Sequence, residues 1–178
     1  MRYHGAQEGV KGCSRRLKRR GFHIGIFAAF LFSNIHIFIT RPDRIIVGEV
    51  RGAEAIDMLQ CMNTGHDGSM STGHANSGKD MLARLENMVL MGMEIPLMAI
   101  RQQIASGVDI IVHLGRLRDK SRRVLEITEI IGCENGDIKL NPLFAFEETG
   151  EDSQGNIIGK LRKKGGLLHE NKLKAAGL

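Results

Sequence analysis

Apolar and polar residues follow a pattern that switches between strand and helix several times after Arg41. Ile45 to Val47 is a short, uninterrupted β-branched run, which is typical of a buried parallel strand. Ala53 to Met62 then carries apolar residues at helical spacing, and Ser69 to Thr72 predicts a short strand after a glycine-rich turn. The opening of this region therefore predicts strand, helix and strand in succession.

Two further helices and a strand are predicted next. The apolar residues from about Lys79 to Met91 form one helical stripe, and a third helix runs from Leu97 to Ala105. Pro96 stands directly before that helix, a position where its ring favours helix initiation. Val108 to His113 is a β-branched run, and it predicts a buried strand.

The end of the chain is rich in predicted strands. Arg123 to Ile131 alternates loosely between apolar and polar residues, which predicts a strand with one solvent-exposed face. Residues 137–147 continue as strand and turn, residues 156–161 predict a last short strand, and residues 169–176 predict a terminal helix. Strand–helix alternation followed by strands indicates an α/β fold with an antiparallel tail.

Residues 1–40 differ in composition from the rest of the 178-residue chain, and we treat them as a basic and apolar N-terminal extension to a domain at 41–178. Phe22 to Ile39 holds five of the seven phenylalanines and no formal charge, and Arg15 to Arg20 precedes it. Three interpretations stay open: an unrelated or out-of-frame leader, an apolar core segment, and a membrane anchor.

The basic character of the chain is confined to its beginning. Residues 1–20 contain seven Lys/Arg and one acid, whereas the remainder contains eighteen Lys/Arg and nineteen acids. A single Tyr and no Trp leave little for base stacking, so no nucleic-acid partner is expected. Three cysteines without a C-x-x-C pair argue against a disulfide framework or a zinc site and favour a reducing cytosol.

Candidate chemistry gathers around Glu49, which comes directly after the first predicted strand. A carboxylate there lies at the sheet edge where open α/β folds bind ligands. Arg51 follows two residues later and suits a phosphate or a carboxylate such as Glu54. His66 and His74 flank the second strand. The alternatives are an acid in a turn, a structural salt bridge, and loop histidines with backbone partners.

Four segments resemble a known family, the type II/type IV secretion ATPases, and are most similar to the Tad/Flp pilus assembly ATPases. The first two match that family's Walker B and histidine boxes. The resemblance runs from about Arg41 to the C-terminus and covers only the back part of a family member. The segments are Gly48-Glu-Val-Arg-Gly52, Thr64-Gly-His-Asp-Gly-Ser-Met-Ser-Thr-Gly-His-Ala-Asn76, Leu143-Phe-Ala-Phe-Glu147 and Lys172-Leu-Lys-Ala-Ala-Gly-Leu178.

The resemblance implies a partial RecA-like P-loop ATPase sheet, the half that carries Walker B and the histidine box, with helices on its faces. It implies that Glu49 orients or deprotonates the attacking water and assists Mg²⁺ indirectly. His74, with His66, is expected to sense the γ-phosphate. Arg51, Gly48 and Thr72 are the expected nucleotide-binding residues, and ATP and Mg²⁺ the expected cofactors.

The phosphate loop of that family, G-x-x-x-x-G-K-[ST], has no counterpart in residues 1–40. Gly73 to Lys79 has the glycine and lysine spacing, but Asp80 follows where a hydroxyl must reach magnesium. Asn76 or Ser77 as an N-cap, with the acid in the first turn, predicts an ordinary helix start. We therefore expect no tight ATP binding by this chain alone.

The family resemblance also implies partners and a location. The expected partners are a homo-oligomeric ring or full-length secretion ATPase subunits, and an inner-membrane pilus or secretion platform protein. The expected location is cytoplasmic and peripheral to the inner membrane, with residues 22–39 as the alternative anchor. The expected function is ATP hydrolysis coupled to pilus assembly or protein export. The alternatives are a catalytically inactive module that associates with a full-length secretion ATPase, a membrane-tethered protein, and a gene remnant.

Overall fold

A computed structural model describes residues 24–27, 42–171 and 174 of the chain. The chain forms two compact units. The first comprises the described residues up to His74 together with Asn87–Glu94, and the second comprises Ala75–Glu86 and the residues from Ile95 onward.

The first unit contains a three-stranded parallel sheet and one complete helix. Its strands are β1 (Ile24–Phe27), β2 (Arg44–Val47) and β3 (Met70–Ser71), in the order β1-β2-β3. Helix α1 (Ala55–Asn63) connects β2 to β3. The sequence-based predictions of β2, α1 and β3 are confirmed, although β3 is shorter than predicted.

Apolar side chains from β2 and α1 form the core of the first unit. Ile45 and Val47 are buried on β2, and the backbone N–H of Ile45 donates to Ser69 Oγ over 2.9 Å. Helix α1 buries one face, which comprises Ala55, Ile56, Met58, Leu59 and Cys61. Burial raises the pKa of the Cys61 thiol, as expected for a small core residue.

Two helices precede the second sheet, and both were predicted within one or two residues. Helix α2 (Gly78–Gly92) begins in the second unit and ends in the first, and helix α3 (Leu97–Gly107) follows Pro96. Ile100 and Ile104 of α3 are fully buried. These two residues lie one turn apart, which places them on the same face of the helix.

The second sheet is antiparallel, with strand order β4-β5-β6-β7. It confirms the predicted antiparallel tail. The strand predicted at 137–147 continues without a turn to residue 151. The strands are β4 (Ile110–Arg116), β5 (Arg122–Glu134), β6 (Asp137–Glu151) and β7 (Ile157–Lys163).

Both faces of this sheet are covered at the middle of β5. Thr128 and Ile130 point to one face and are buried, while Glu129 points to the other and is also buried. Glu129 accepts hydrogen bonds from Asn141 Nδ2 at 2.8 Å and from the backbone N–H groups of Leu168 and His169 at 3.0 and 2.8 Å. The chain after β7 therefore crosses the sheet at Glu129.

The prediction that Val108 to His113 is a buried strand is wrong in one respect. The segment forms β4, but β4 is an edge strand, and Ile110, Val112 and Leu114 are exposed. Among the described residues β4 pairs only with β5, and its apolar residues Ile110, Val112 and Leu114 are not covered as they would be on a buried strand.

Several predictions for the chain ends lie outside the described residues. Within Phe22 to Ile39 only β1 is described, and it pairs in parallel with β2. No helix among residues 42–171 has the length and apolar character needed to cross a bilayer. Of the terminal helix predicted at 169–176, residues 172, 173, 175 and 176 are not described; Lys174 N–H donates to Glu170 O over 2.9 Å.

Candidate functional site

Glu49 lies at the carboxyl end of β2, two residues after Val47. Parallel strands end here, and the crevice beyond such ends is where open α/β sheets bind ligands. The Glu49 side chain is only 23% exposed. The β-branched run of β2 therefore delivers a partly shielded carboxylate to the edge of the parallel sheet.

Both oxygens of Glu49 have a basic partner. Arg51 Nη2 lies 2.6 Å from Oε2, and His74 Nε2 lies 3.1 Å from Oε1. Arg51 and His74 are 74% and 80% exposed, so they extend from the carboxylate toward solvent. The hydrogen bond from Arg51 to Glu49 raises the pKa of the guanidinium. The structure therefore brings three predicted site residues, Glu49, Arg51 and His74, into one cluster.

Thr72 holds the backbone on both sides of Glu49. Its hydroxyl donates to the carbonyl of Gly48, and its own carbonyl accepts the N–H of Val50 over 3.0 Å. The predicted nucleotide-binding residues Gly48 and Thr72 thus bond to each other. We refer to these two hydrogen bonds as the Thr72 clasp, and it sets the position of the Glu49 backbone.

Glu54 organises the turn between Glu49 and α1. Its Oε1 accepts the backbone N–H groups of Arg51 at 2.7 Å and Gly52 at 3.0 Å. The bond from Arg51 N–H is the main cause of a pKa below the usual range for the Glu54 carboxyl. Arg51 therefore contacts both acids, with its guanidinium on Glu49 and its backbone on Glu54.

His66 contacts the end of α1. Its Nδ1 lies 3.1 Å from the carbonyl oxygen of Cys61. Its own carbonyl accepts the Ser69 hydroxyl at 2.6 Å and the Ser69 N–H at 3.2 Å. His66 is therefore a loop histidine with backbone partners, which is one of the alternatives that its sequence position left open. Its hydrogen bonds stabilise the loop that leads into β3.

The segment Gly73 to Lys79 begins a helix, as its sequence predicts. Ser77 Oγ accepts the N–H of Asp80 over 3.0 Å, and Asp80 lies in the first turn of α2. This is an N-cap hydrogen bond between a serine and the residue three positions later. The serine hydroxyl is therefore engaged with the helix backbone.

Sequence reasoning identified the acid, the arginine and the histidine but missed the support around them. The bond from Ile45 of β2 to Ser69 and the two bonds of the Thr72 clasp join residues that are 22 or 24 positions apart, so spacing alone gives no signal for them. Glu54 had a weak signal, because an acid two residues after a glycine and before a helix often accepts backbone N–H groups.

The donor set suits an indirect role toward Mg²⁺. Glu49 supplies hard oxygen donors of the kind that Mg²⁺ prefers, and in this structure both of its oxygens contact basic side chains. Among residues 42–171 no three His, Cys, Asp or Glu side chains form a metal-binding group. Mg²⁺ usually keeps several waters and binds through one or two carboxylates and substrate phosphates, so a single carboxylate is compatible with it.

Comparison with known proteins places the chain in a family. A family model described as "Type II/IV secretion system protein" matches residues 35–154. A protein of Mycobacterium tuberculosis (strain H37Rv) that is named for conjugal transfer is 45% identical over 94 residues, 53% of this chain and 26% of that protein. The conjugal transfer protein TrbB of Rhizobium radiobacter is 39% identical over 108 residues, 61% of this chain and 32% of TrbB.

A solved structure agrees with the sequence relatives. The VirB11 ATPase from the Brucella suis type IV secretion system, crystallised with sulphate, is similar with a TM-score of 0.51 and 25% identity. The likeness covers 70% of this chain and 46% of the VirB11 chain. It confirms the predicted α/β class and the RecA-like character of the fold.

The chain thus spans about a quarter to a third of the length of the curated relatives it matches. The family model, in contrast, matches more than half of this chain. The chain belongs to the type II/IV secretion system protein family.

Proposed function

We propose that residues 41–178 form the part of a secretion ATPase that supplies the catalytic acid and the phosphate-sensing histidine. The observation that carries this proposal is the pairing of Glu49 with Arg51 and His74 at the carboxyl end of a parallel strand. A carboxylate in this place can accept a proton from a water molecule, which is the task of a general base in phosphoryl transfer.

The cluster divides the task between its members. Glu49 would orient the attacking water and hold Mg²⁺ through water, in the position of a Walker B glutamate. His74 Nε2 can donate a hydrogen bond to a phosphate oxygen, and in doing so it would leave Glu49 Oε1 open to the water. The positive charge of the Arg51 guanidinium lies beside the Glu49 carboxylate and would also attract the phosphates of ATP. When bound, Mg-ATP would supply the phosphoryl group that the water attacks.

We propose the finer family assignment on the same motifs. The segments Gly48 to Gly52 and Ser71 to Asn76 are similar to the corresponding motifs of the Tad/Flp pilus assembly ATPases. In this proposal, ATP hydrolysis therefore drives pilus assembly or protein export. The proposed setting is a hexameric ring in the cytoplasm, against an inner-membrane platform protein.

The chain alone should neither bind nor hydrolyse Mg-ATP measurably, because its residues include no G-x-x-x-x-G-K-[ST] motif. A fluorescent ATP analogue titrated with Mg²⁺ tests this expectation. Saturable binding that disappears in both Glu49→Gln and His74→Ala would contradict it and would indicate a different phosphate site.

A test of the catalytic role of Glu49 requires a protein with an intact phosphate loop. We suggest fusing the front part of a full-length family ATPase, phosphate loop included, to Arg41 and the residues that follow. Glu49→Gln in this fusion should lower kcat by about 100-fold or more, the usual contribution of a general base. Asp67→Asn is the matched control, because it neutralises an exposed acid next to His66 in the sequence and should leave kcat unchanged. Equal kcat values for the fusion and Glu49→Gln would refute the role.

The second candidate function is an interaction module that joins rings of a full-length secretion ATPase without hydrolysing ATP. It is favoured by the continuous set of elements from β2 to β7 in a chain without a phosphate-loop motif. Co-purification with a full-length relative from the same cell, and a change in that relative's ATP turnover, would support it. A chain that never associates with the relative would rule it out.

A further inference from the structure

The guanidinium of Arg51 lies on the Glu49 carboxylate although most of the arginine side chain is exposed. Its Nη2 is 2.6 Å from Glu49 Oε2, and the side chain is 74% exposed. A surface ion pair favours the paired arrangement over the open one by about fivefold at most, because ordering a long side chain has an entropic cost. The ion pair by itself therefore accounts poorly for the position of the guanidinium.

The backbone around Arg51 is fixed from two sides. Val50 is buried, and its N–H donates to the carbonyl of Thr72 over 3.0 Å. The next two N–H groups, of Arg51 and Gly52, donate to Glu54 Oε1 over 2.7 and 3.0 Å. Three successive N–H groups are thus bonded, so the direction in which the Arg51 side chain leaves the backbone is set before it reaches Glu49.

The Glu54 side chain bonds backward to this loop and not forward to its own helix. Glu54 is the N-cap residue of α1, where a side-chain oxygen usually accepts an N–H of the first helical turn. Within the described part of the chain its carboxylate makes no such bond. A Cβ atom at Gly52 would lie only 3.2 Å from Glu54 Oε2, so the loop and the carboxylate are in close contact.

The charge of Glu54 strengthens its hold on the loop. The bond from Arg51 N–H is the main cause of a pKa below the usual range for this carboxyl, so the group is ionised at neutral pH. Hydrogen bonds to an ionised acceptor are about twice as strong as bonds between neutral groups. Glu54 thus gives the Arg51 and Gly52 N–H groups a stronger partner than a neutral acceptor would.

We propose that Glu54 is a positioning residue that directs the Arg51 guanidinium onto Glu49. It acts through the backbone of Arg51, by the two hydrogen bonds to the loop. Without these bonds the loop would gain backbone freedom, and the exposed guanidinium would turn into solvent. The contact is a property of this chain, whereas its effect on ATP hydrolysis rests on the proposed function.

Nuclear magnetic resonance of the whole ¹⁵N-labelled chain tests the contact without any nucleotide. The Nη–Hη signals of an arginine held in an ion pair are resolved, whereas those of a freely rotating arginine are averaged and broadened by exchange with water. Arg51→Lys identifies the Arg51 signals by their absence. Glu54→Asp should abolish them, because the carboxylate is withdrawn by about 1.5 Å, the length of one carbon–carbon bond.

Glu54→Asp is chosen because it should fold. It keeps the negative charge, and aspartate is among the preferred N-cap residues. Asp57→Asn is the matched control, because Asp57 is the acid in the first turn of α1 and its neutralisation weakens the charge interaction with the helix N-terminus. This control should leave the Arg51 signals unchanged. Far-ultraviolet circular dichroism establishes that both variants are folded.

The effect on catalysis is measured in the fusion to Arg41 described above. Arg51→Ala and Glu54→Asp should each lower kcat, and the double variant should be no slower than Arg51→Ala alone, because Glu54 acts through Arg51. If Glu49→Gln leaves kcat of the fusion unchanged, the proposed function fails. The spectra of the whole chain still decide whether Glu54 positions Arg51.

Three results would overturn the positioning role. The first is an Arg51 signal that Glu54→Asp leaves intact. The second is a signal that Asp57→Asn removes as completely as Glu54→Asp does, which would assign the effect to charge at the helix N-terminus. The third is a double variant whose loss of kcat is the product of the two single losses, since independent effects multiply.

Discussion

Single side chains decide the geometry around Glu49. Its two oxygens bond Arg51 and His74, and its backbone is held by Thr72 from the neighbouring strand end. The acid, arginine and histidine could be predicted, because their type and spacing are typical of nucleotide chemistry. The hydrogen bond from the Thr72 hydroxyl to the Gly48 carbonyl could not be predicted, because it depends on how the ends of the two strands lie side by side.

At the same scale, Glu129 is a buried acid whose charge is compensated by hydrogen bonds. Burial by itself raises the pKa of this carboxyl, but bonds from Asn141 and from the backbone of His169 and Leu168 outweigh burial and lower it. Its carboxylate form therefore holds the chain after β7 against the sheet. Nothing in the sequence distinguishes Glu129 from Glu126 and Glu134, the two less buried acids of β5.

Replacing this acid should cost stability in a pH-dependent way. A pKa that is lower in the folded chain than the roughly 4.3 of an unfolded glutamate stabilises the fold above that pH. The stabilisation is lost as the pH falls through the folded pKa. Glu129→Gln should lower the free energy of unfolding by about 1 to 3 kcal/mol at pH 7, and the loss should shrink below about pH 4.

Urea unfolding at pH 7 and at pH 3.5 measures both quantities. The control is Glu134→Gln, an exposed acid at the end of the same strand, which should change the free energy of unfolding by less than about 0.5 kcal/mol. A loss of the same size at both pH values would show that shape, and not charge, is what matters at this position.

Among the elements, the helices could be predicted closely and the edge of the second sheet could not. Helices α1 to α3 begin and end within two residues of their predicted limits, because apolar spacing, Ser77 and Pro96 are local signals. Burial of β4 depends on which strands lie beside it. The order of strands in the sheet cannot be seen in the local sequence. The apolar run therefore predicted a strand correctly but predicted its burial wrongly.

The helix cap of α2 gives a prediction at this scale. Ser77→Ala removes the acceptor for Asp80 N–H and should lower the free energy of unfolding by about 0.5 to 2 kcal/mol. Ser77→Asp restores an acceptor and places a negative charge at the helix N-terminus, so it should retain the stability. Thermal unfolding of the three chains compares them. Equal stability of Ser77→Ala and the unchanged chain would contradict a capping role.

Charge is unevenly distributed over the whole molecule. The first twenty residues hold seven Lys/Arg, and the rest of the chain has one more acid than base. Positive charge near phosphates provides the non-specific part of nucleic-acid affinity. The region that carries Glu49 and the sheets is therefore not expected to bind nucleic acid.

Neutralising the basic beginning of the chain tests this distribution. If the whole chain has a weak, salt-sensitive affinity for duplex DNA, replacing the five cations between Arg15 and Arg20 by Gln should reduce it at least about tenfold. Replacing Arg116, Arg118, Arg122 and Arg123 instead should have little effect, since Arg118 already pairs with Glu148 and Glu151. Fluorescence anisotropy at two salt concentrations measures the difference. The reverse order of effects would place the DNA-binding charge in the second sheet.

The Thr72 clasp has a consequence for how far the acid can reach. With the strand ends pinned, the carboxylate meets its partners only because the glutamate side chain is long enough. Glu49→Asp keeps the charge but draws the carboxylate back by about 1.5 Å, the length of one carbon–carbon bond, and the pinned backbone cannot advance to compensate. In a complete ATPase, Glu49→Asp should therefore lower kcat about as much as Glu49→Gln does. The length of the side chain, and not its charge alone, would then be required at this position.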